Sequence, residues 1–158
     1  MSVIAVRRAA ADDVGRVAEL VRRLFREDSG VRDGTVDQSW PERFGRRWVR
    51  GLIGDDEAFL GVVEGPGGGA SGYLAGEVGG PTSMRTVRVA TLVSLYVDET
   101  LRRRGAAREL VRVFGAWAEE KGADRIAVTA FASNEAALAF YRSEGFEPRE
   151  TSMERPVG

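Results

Sequence analysis

Residues 94–111 read SLYVDETLRRRGAARELV, and their character changes midway. The first four are strand-like. From Ala107 onward, apolar residues recur at helical spacing through Leu110, Val111, Phe114, Trp117 and Ala118. Between strand and helix stand Arg102, Arg103 and Arg104, then Gly105 and two alanines. The first amides of a helix are unpaired and carry the positive end of its dipole, so basic side chains there oppose that dipole unless an anion joins them. Gly105, Ala106 and Ala107 are small enough for a phosphate to reach the backbone, and arginines add charge-assisted hydrogen bonds. The competing reading is a solvated basic helix start.

Towards the C-terminus, residues 104–121 form the predicted helix and 124–131 (DRIAVTAF) a buried-type strand. A helix joining two strands makes them parallel and adjacent. A helix over 134–144 stops at Gly145, and a last β-type stretch runs from Phe146 towards Met153. Towards the N-terminus, 86–97 is a long strand, and 57–64 and 71–78 are strands joined as a hairpin. The hairpin turn, GPGGGA at 65–70, matches a dinucleotide-binding glycine pattern, but a strand follows it where that motif needs a helix. Residues 39–54 read as a helix, with Ser39 and Glu42 as a capping box and Pro41 in the first turn. Residues 28–38 read as loop, 12–27 as an amphipathic helix ended by Ser29–Gly30, and 3–8 as a strand. The order is β α α β β β α β α β: one α/β domain over 1–158, with a mixed, mostly antiparallel sheet flanked by helices.

Composition bounds the chemistry. The 158 residues suffice for one real core, and a 43% apolar, 30% charged composition is that of a globular chain. All but one of the 23 basic residues are arginine, Lys121 being the exception, and 24 acidic residues leave a net charge of −1. That balance argues against a nucleic-acid partner or an anionic membrane surface. With no histidine and no cysteine, there is no disulfide, no thiol or imidazole nucleophile, and no imidazole or thiolate metal site. No apolar run is long enough to span a membrane and no signal-peptide pattern opens the chain, so a cytoplasmic location is expected.

Two segments carry a resemblance. SLYVDETLRRRGAA (94–107) and NEAALAFYRSEGF (134–146) are similar in residues, order and spacing to two signature segments of the GNAT family of N-acetyltransferases. The resemblance implies acetyl-CoA as co-substrate, no metal, and a small-molecule or peptide amine as acceptor. It implies that the backbone of Leu95, Tyr96 and Val97 pairs with the pantetheine arm, in a gap where this strand and the 124–131 strand splay apart. The pyrophosphate would sit on the amides of Arg104, Gly105, Ala106, Ala107 and Arg108, with Arg102 and Arg103 beside them. A backbone amide near Leu95 would polarise the thioester carbonyl. Tyr141 matches the tyrosine that protonates the leaving thiolate, although Phe140–Tyr141 also suits core packing. Asn134 fits both a contact to the arm and a helix N-cap. Such proteins are often dimers, so a homodimer is an expectation the resemblance carries.

The acceptor amine must lose a proton before it attacks. Many relatives carry a carboxylate on the strand before the motif, but Thr91, Leu92, Val93 and Ser94 supply none. Glu77 on the neighbouring strand is the nearest substitute. An outward-facing structural carboxylate, a water relay through Ser94 and an amine of low pKa remain open beside it. Acceptor contacts are expected from about residues 27–40 and 79–86. The first region holds Glu27, Asp28, Asp33, Asp37 and Trp40, and Arg32 dilutes its negative charge. A non-catalytic acyl-CoA-binding module is the alternative to an enzyme, and a nucleic-acid-binding domain using the three arginines is a third.

Overall fold

The computed structural model describes residues 4–158. Among these residues five strands form one sheet in the order β1-β2-β3-β4-β5. They are β1 Val6–Arg8, β2 Ala58–Glu64, β3 Ala70–Gly79, β4 Val89–Val97 and β5 Arg125–Val128. The first three pairings are antiparallel and β4–β5 is parallel, as a strand–helix–strand unit requires. The glycine-rich turn closes the β2–β3 hairpin, with Gly68 and Gly69 both at positive φ.

Helices cover both faces. Helix α1 (Val14–Leu24) and helix α3 (Trp40–Ile53) lie on one, burying Val17, Leu20, Val21, Val49 and Leu52 against Leu60, Val62, Tyr73 and Ala75. Helix α4 (Ala106–Glu120) lies on the other, where Leu110, Phe114 and Trp117 pack on Phe59, Leu74, Val78, Ala90 and Leu92. Alternate residues of β2 and β3 feed the two clusters, as the period of two demands. Helix α5 (Glu135–Ser143) adds Phe140 and Tyr141 to the α4 side.

Four local expectations are corrected. Residues 146–158 form no strand, and 147–158 are exposed; Pro148 and Pro156 donate no amide, and the segment is dominated by charge. Helix α1 does not stop at Ser29–Gly30. It continues through a π-helical turn, Phe25–Ser29, into one more turn, α2 (Gly30–Arg32), where an Asp28–Arg32 ion pair at i,i+4 supports it. The Ser39–Glu42 capping box is not made. Ser39 is already helical (φ −85°, ψ −8°), and its hydroxyl donates to Asp37 Oδ1 at 2.7 Å. Residues 81–88 also stay outside β4, with Arg88 donating to the carbonyls of Gly80 and Lys121 at 3.0 and 2.8 Å.

Candidate active site

The sheet opens at one place. On β3, Ala75 pairs with Ser94 but the next residue, Gly76, pairs with Leu92. Val93 is therefore an extra residue on β4, a bulge that reverses the strand's parity. Before it Ala90 and Leu92 face α4; after it Leu95 and Val97 do, and Tyr96 joins the α1 side. Pairing to β5 also ends here, at Leu92–Val128. From Ser94 to Val97, β4 keeps its β3 partner and has no β5 partner among the described residues. Leu95, Tyr96 and Val97 lie on this stretch, left without a β5 neighbour because β5 ends at Val128, and the Val97 carbonyl accepts from Arg102 Nε.

The segment after β4 gathers amides. Asp98 accepts from the Thr100 amide and from Arg23 Nη1 at 2.6 Å, contacts that hold its carboxyl below the ordinary range. Arg103 and Gly105 both have positive φ, 63° and 82°, two residues apart. Left-handed residues placed this way turn successive amides into one concavity. Among the described residues, none of the amides of residues 103–108 donates a well-formed hydrogen bond, and a Cβ on Gly105 would meet nothing within 4 Å. The arginines divide. Arg102 turns back, donating to the Val97 carbonyl at 2.8 Å and to Glu27 at 3.3 Å, over the Tyr96 ring. Arg108 pairs with Glu144, the residue that follows α5, at 3.1 Å. Arg103 and Arg104 are exposed and make no ion pair among the described residues. Buried Ala106 and half-buried Ala107 seat the helix start on the core.

Asn134 caps α5, its Oδ1 accepting from the Ala137 amide at 3.0 Å. Its Nδ2 donates to Asp28 Oδ1 at 3.1 Å, and Arg32 Nη1 donates to Ser133 at 3.1 Å. The extension of α1 thus reaches the start of α5 and straps the α1 side of the opening. Tyr141 lies two helical turns beyond Asn134, on the same face of α5, between Phe140 and Phe146 at ring distances of 5.4 and 5.6 Å. Burial, then the Asp28 charge, pushes its phenol up to about 12. Tyr96 is also raised to about 12, by burial first and then by Glu27. Ser94 Oγ is paired with the buried Tyr73 hydroxyl at 2.7 Å. Sequence reading grouped Glu27 and Asp28 as one acidic region, but it had no signal for the π-helical turn that sends one to Arg102 and the other to Asn134.

Glu77 lies opposite Thr91, two residues before the bulge, on the α1 side of the sheet. It is exposed and stands between two cavities. One, of about 560 Å³, is walled by Trp40, Phe44, Trp48, Arg47 and Asp55; the other, of about 270 Å³, by Thr82, Arg85, Val87 and Thr91. Trp40 links the first to α1, stacking on Phe25 at 5.6 Å and meeting Trp48 edge-on at 6.1 Å. Both regions expected to contact an acceptor therefore border Glu77.

A bulged strand, a β4 edge without a β5 partner and a row of free amides before a helix are the features of this α/β fold on which the comparison with known proteins bears. Residues 16–146 match the family described as Acetyltransferase (GNAT) family, and the chain belongs to it. No curated protein sequence matches. Among solved structures, a proposed acetyl transferase from Pyrococcus furiosus superposes with a TM-score of 0.77 at 20% identity, covering 98% of this chain and 100% of that one. A transcriptional regulator from Bacillus halodurans gives 0.76 at 18% identity over 98% and 100%. The aminoglycoside N-acetyltransferase AAC(6')-Iy, solved with CoA, gives 0.76 at 16% identity over 99% and 95%. At these identities the likeness is one of fold. Among the described residues no helix is long and apolar enough to cross a membrane, and no cluster of metal-binding side chains occurs.

Proposed function

We propose that this chain is an acetyl-CoA-dependent N-acetyltransferase that moves the acetyl group to a primary amine by direct attack on the thioester. One observation carries the reading: β4 loses its β5 partner at Leu92, and the same strand runs directly into the amide concavity before α4. A long thiol cofactor ending in a pyrophosphate fits that succession. Its arm takes the edge of Leu95–Val97 that has no β5 partner, where Arg102 Nε holds the Val97 carbonyl, and its phosphates take the amides of residues 104–108. Gly105 leaves them room, and Arg103 and Arg104 are free to close over them. The bound thioester supplies an activated acetyl group and a good leaving group. An amide freed by the bulge can donate to the carbonyl oxygen as it becomes an oxyanion. Tyr141 holds a proton throughout the neutral range and gives it to the departing thiolate. Asn134 keeps α5, and hence Tyr141, in register with the α1 side; one of its amide hydrogens remains for the arm. Glu77 and Asp28 are carboxylates on this side of the opening without both oxygens occupied, and either can take the amine's proton.

Calorimetric titration with acetyl-CoA, followed by a thiol-release screen over amine classes, tests the reading. Binding together with release on one class supports it. Binding without release on any class points to a module that holds the thioester without turning it over, and absence of binding overturns the cradle.

A further inference from the structure

We propose that Asp28 binds the acceptor's ammonium group and takes its proton, a role that rests on the acetyltransferase reading above. The π-helical turn of α1 delivers this carboxylate to the opening between β4 and α5. Its two oxygens are unlike. Oδ1 receives both Arg32 Nε and Asn134 Nδ2, while Oδ2 accepts no hydrogen bond among the described residues. The side chain is 25% exposed, so the spare oxygen reaches solvent while the carboxylate is fixed in orientation. Fixing one oxygen and leaving the other open is what a positioned base requires. Tyr141 comes from the α4 side of the same gap, close enough for the Asp28 charge to bear on its phenol. Asn134 holds the carboxylate at the start of α5, and Tyr141 stands two turns further along the same face, so the carboxylate for the incoming amine and the acid for the leaving thiolate border one gap. Glu77 lacks this arrangement: it is exposed and accepts no hydrogen bond among the described residues.

The ligand class is a primary alkylammonium. Its proton passes to Asp28 Oδ2, and the nitrogen lone pair forms the new bond to the thioester carbonyl carbon. The carbon–sulfur bond then breaks, and the thiolate takes the Tyr141 proton. The second nitrogen proton returns to the tyrosinate, and Asp28 releases its own to water. Arg32 on the same helix faces Asp28, and Tyr141 faces it from α5. On the β4 side Glu27 is occupied by Arg102 and Tyr96.

The test uses n-hexylamine as probe, titrated calorimetrically into the full chain with and without saturating CoA, and as acceptor in thiol release. Asp28→Asn keeps an oxygen for Arg32 and Asn134 but removes the charge. It should weaken hexylamine binding at least about tenfold and lower kcat/KM about a hundredfold. Ser133→Ala should leave both within about twofold, since it breaks a strap contact and keeps the carboxylate; it therefore separates loss of charge from loss of the strap. CoA affinity should be common to all three proteins; its absence in the wild type overturns the acetyltransferase reading, while the amine titration without CoA still reports on Asp28. Unchanged amine binding in Asp28→Asn, an equal loss in Ser133→Ala, or no hexylamine binding by the wild type would each overturn the assignment.

Discussion

The ring of Phe114 occupies the space that a side chain at Gly76 would need. A Cβ there would stand 2.5 Å from Phe114 Cζ and 3.0 Å from the carbonyl oxygen of Thr91. Phe114 is completely buried and packs on Phe59 and Trp117 at 5.4 and 5.7 Å, so it has no direction in which to yield. Gly76 is also the residue at which β3 skips Val93, so the bulge and the α4 core share one point of contact. Gly76→Ala should cost about 1–3 kcal/mol, as overpacking does. A lower urea midpoint with an unchanged slope would show it; wild-type stability would mean that β4 moves aside freely.

Gly105 presents the opposite case. Its φ of 82° favours glycine, yet a Cβ there points into open space. Gly105→Ala should fold, at a cost of about 1 kcal/mol for the left-handed backbone. Gly105→Glu sets a negative charge over the amide concavity, and like charges brought together cost several kcal/mol, so acetyl-CoA affinity should fall at least about a hundredfold. Calorimetric titration of the two variants separates strain from charge. Equal affinity in the glutamate variant would remove the pyrophosphate from residues 104–108.

Legibility in the sequence followed the range of the interactions involved. The α4 stripe, the hairpin at 65–70 and the parallel β4–β5 pair were readable because each rests on local periodicity or on the handedness of a short connection. The bulge at Val93 was not, since it is defined by what β3 places opposite, a relation between residues 76 and 92. The course of Arg102 was hidden for the same reason: three adjacent arginines look alike until Glu27 arrives 75 positions away to claim one. The capping box failed because Asp37, two residues earlier, offers Ser39 a better partner. The strand expected after Phe146 failed because alternation without a pairing partner is not a strand, and β5 is only four residues long.

Asp13 gives a stability prediction with a definite sign. Its carboxylate, 9% exposed, takes two hydrogen bonds from Arg7 at 2.8 and 2.9 Å and one from the Ala10 amide at 2.8 Å, tying β1 to the start of α1. The Arg7 bonds, the largest cause, and the Ala10 amide hold its pKa below the ordinary 3.8 against the opposing effect of burial. A carboxyl lowered in the folded state contributes stability that is complete above its unfolded pKa and is lost as pH falls through the folded one. Asp13→Asn should lower stability by about 2 kcal/mol at pH 7, a charged hydrogen-bonded contact being worth about that much. The gap between variant and wild type should narrow below about pH 4. Urea unfolding from pH 7 down to 3 would show it, and a gap constant with pH would mean that the ionised form contributes nothing.

Tyr141 stands between a packing role and a chemical one, and a single atom separates them. Tyr141→Phe removes the phenolic oxygen and keeps the ring against Phe140 and Phe146. With its pKa pushed up to about 12, first by burial and then by Asp28, the phenol stays protonated at any working pH and can only donate. If that proton goes to the leaving thiolate, the variant should lose about a hundredfold in kcat, the usual scale for a positioned general acid. Its acetyl-CoA affinity should stay within about threefold, because the arm and the pyrophosphate meet other residues. Fluorinated acceptor amines of lowered basicity should leave the deficit unchanged, since the missing proton belongs to the leaving group and not to the nucleophile. A wild-type kcat in Tyr141→Phe would make Tyr141 a packing residue and hand protonation of the thiolate to water.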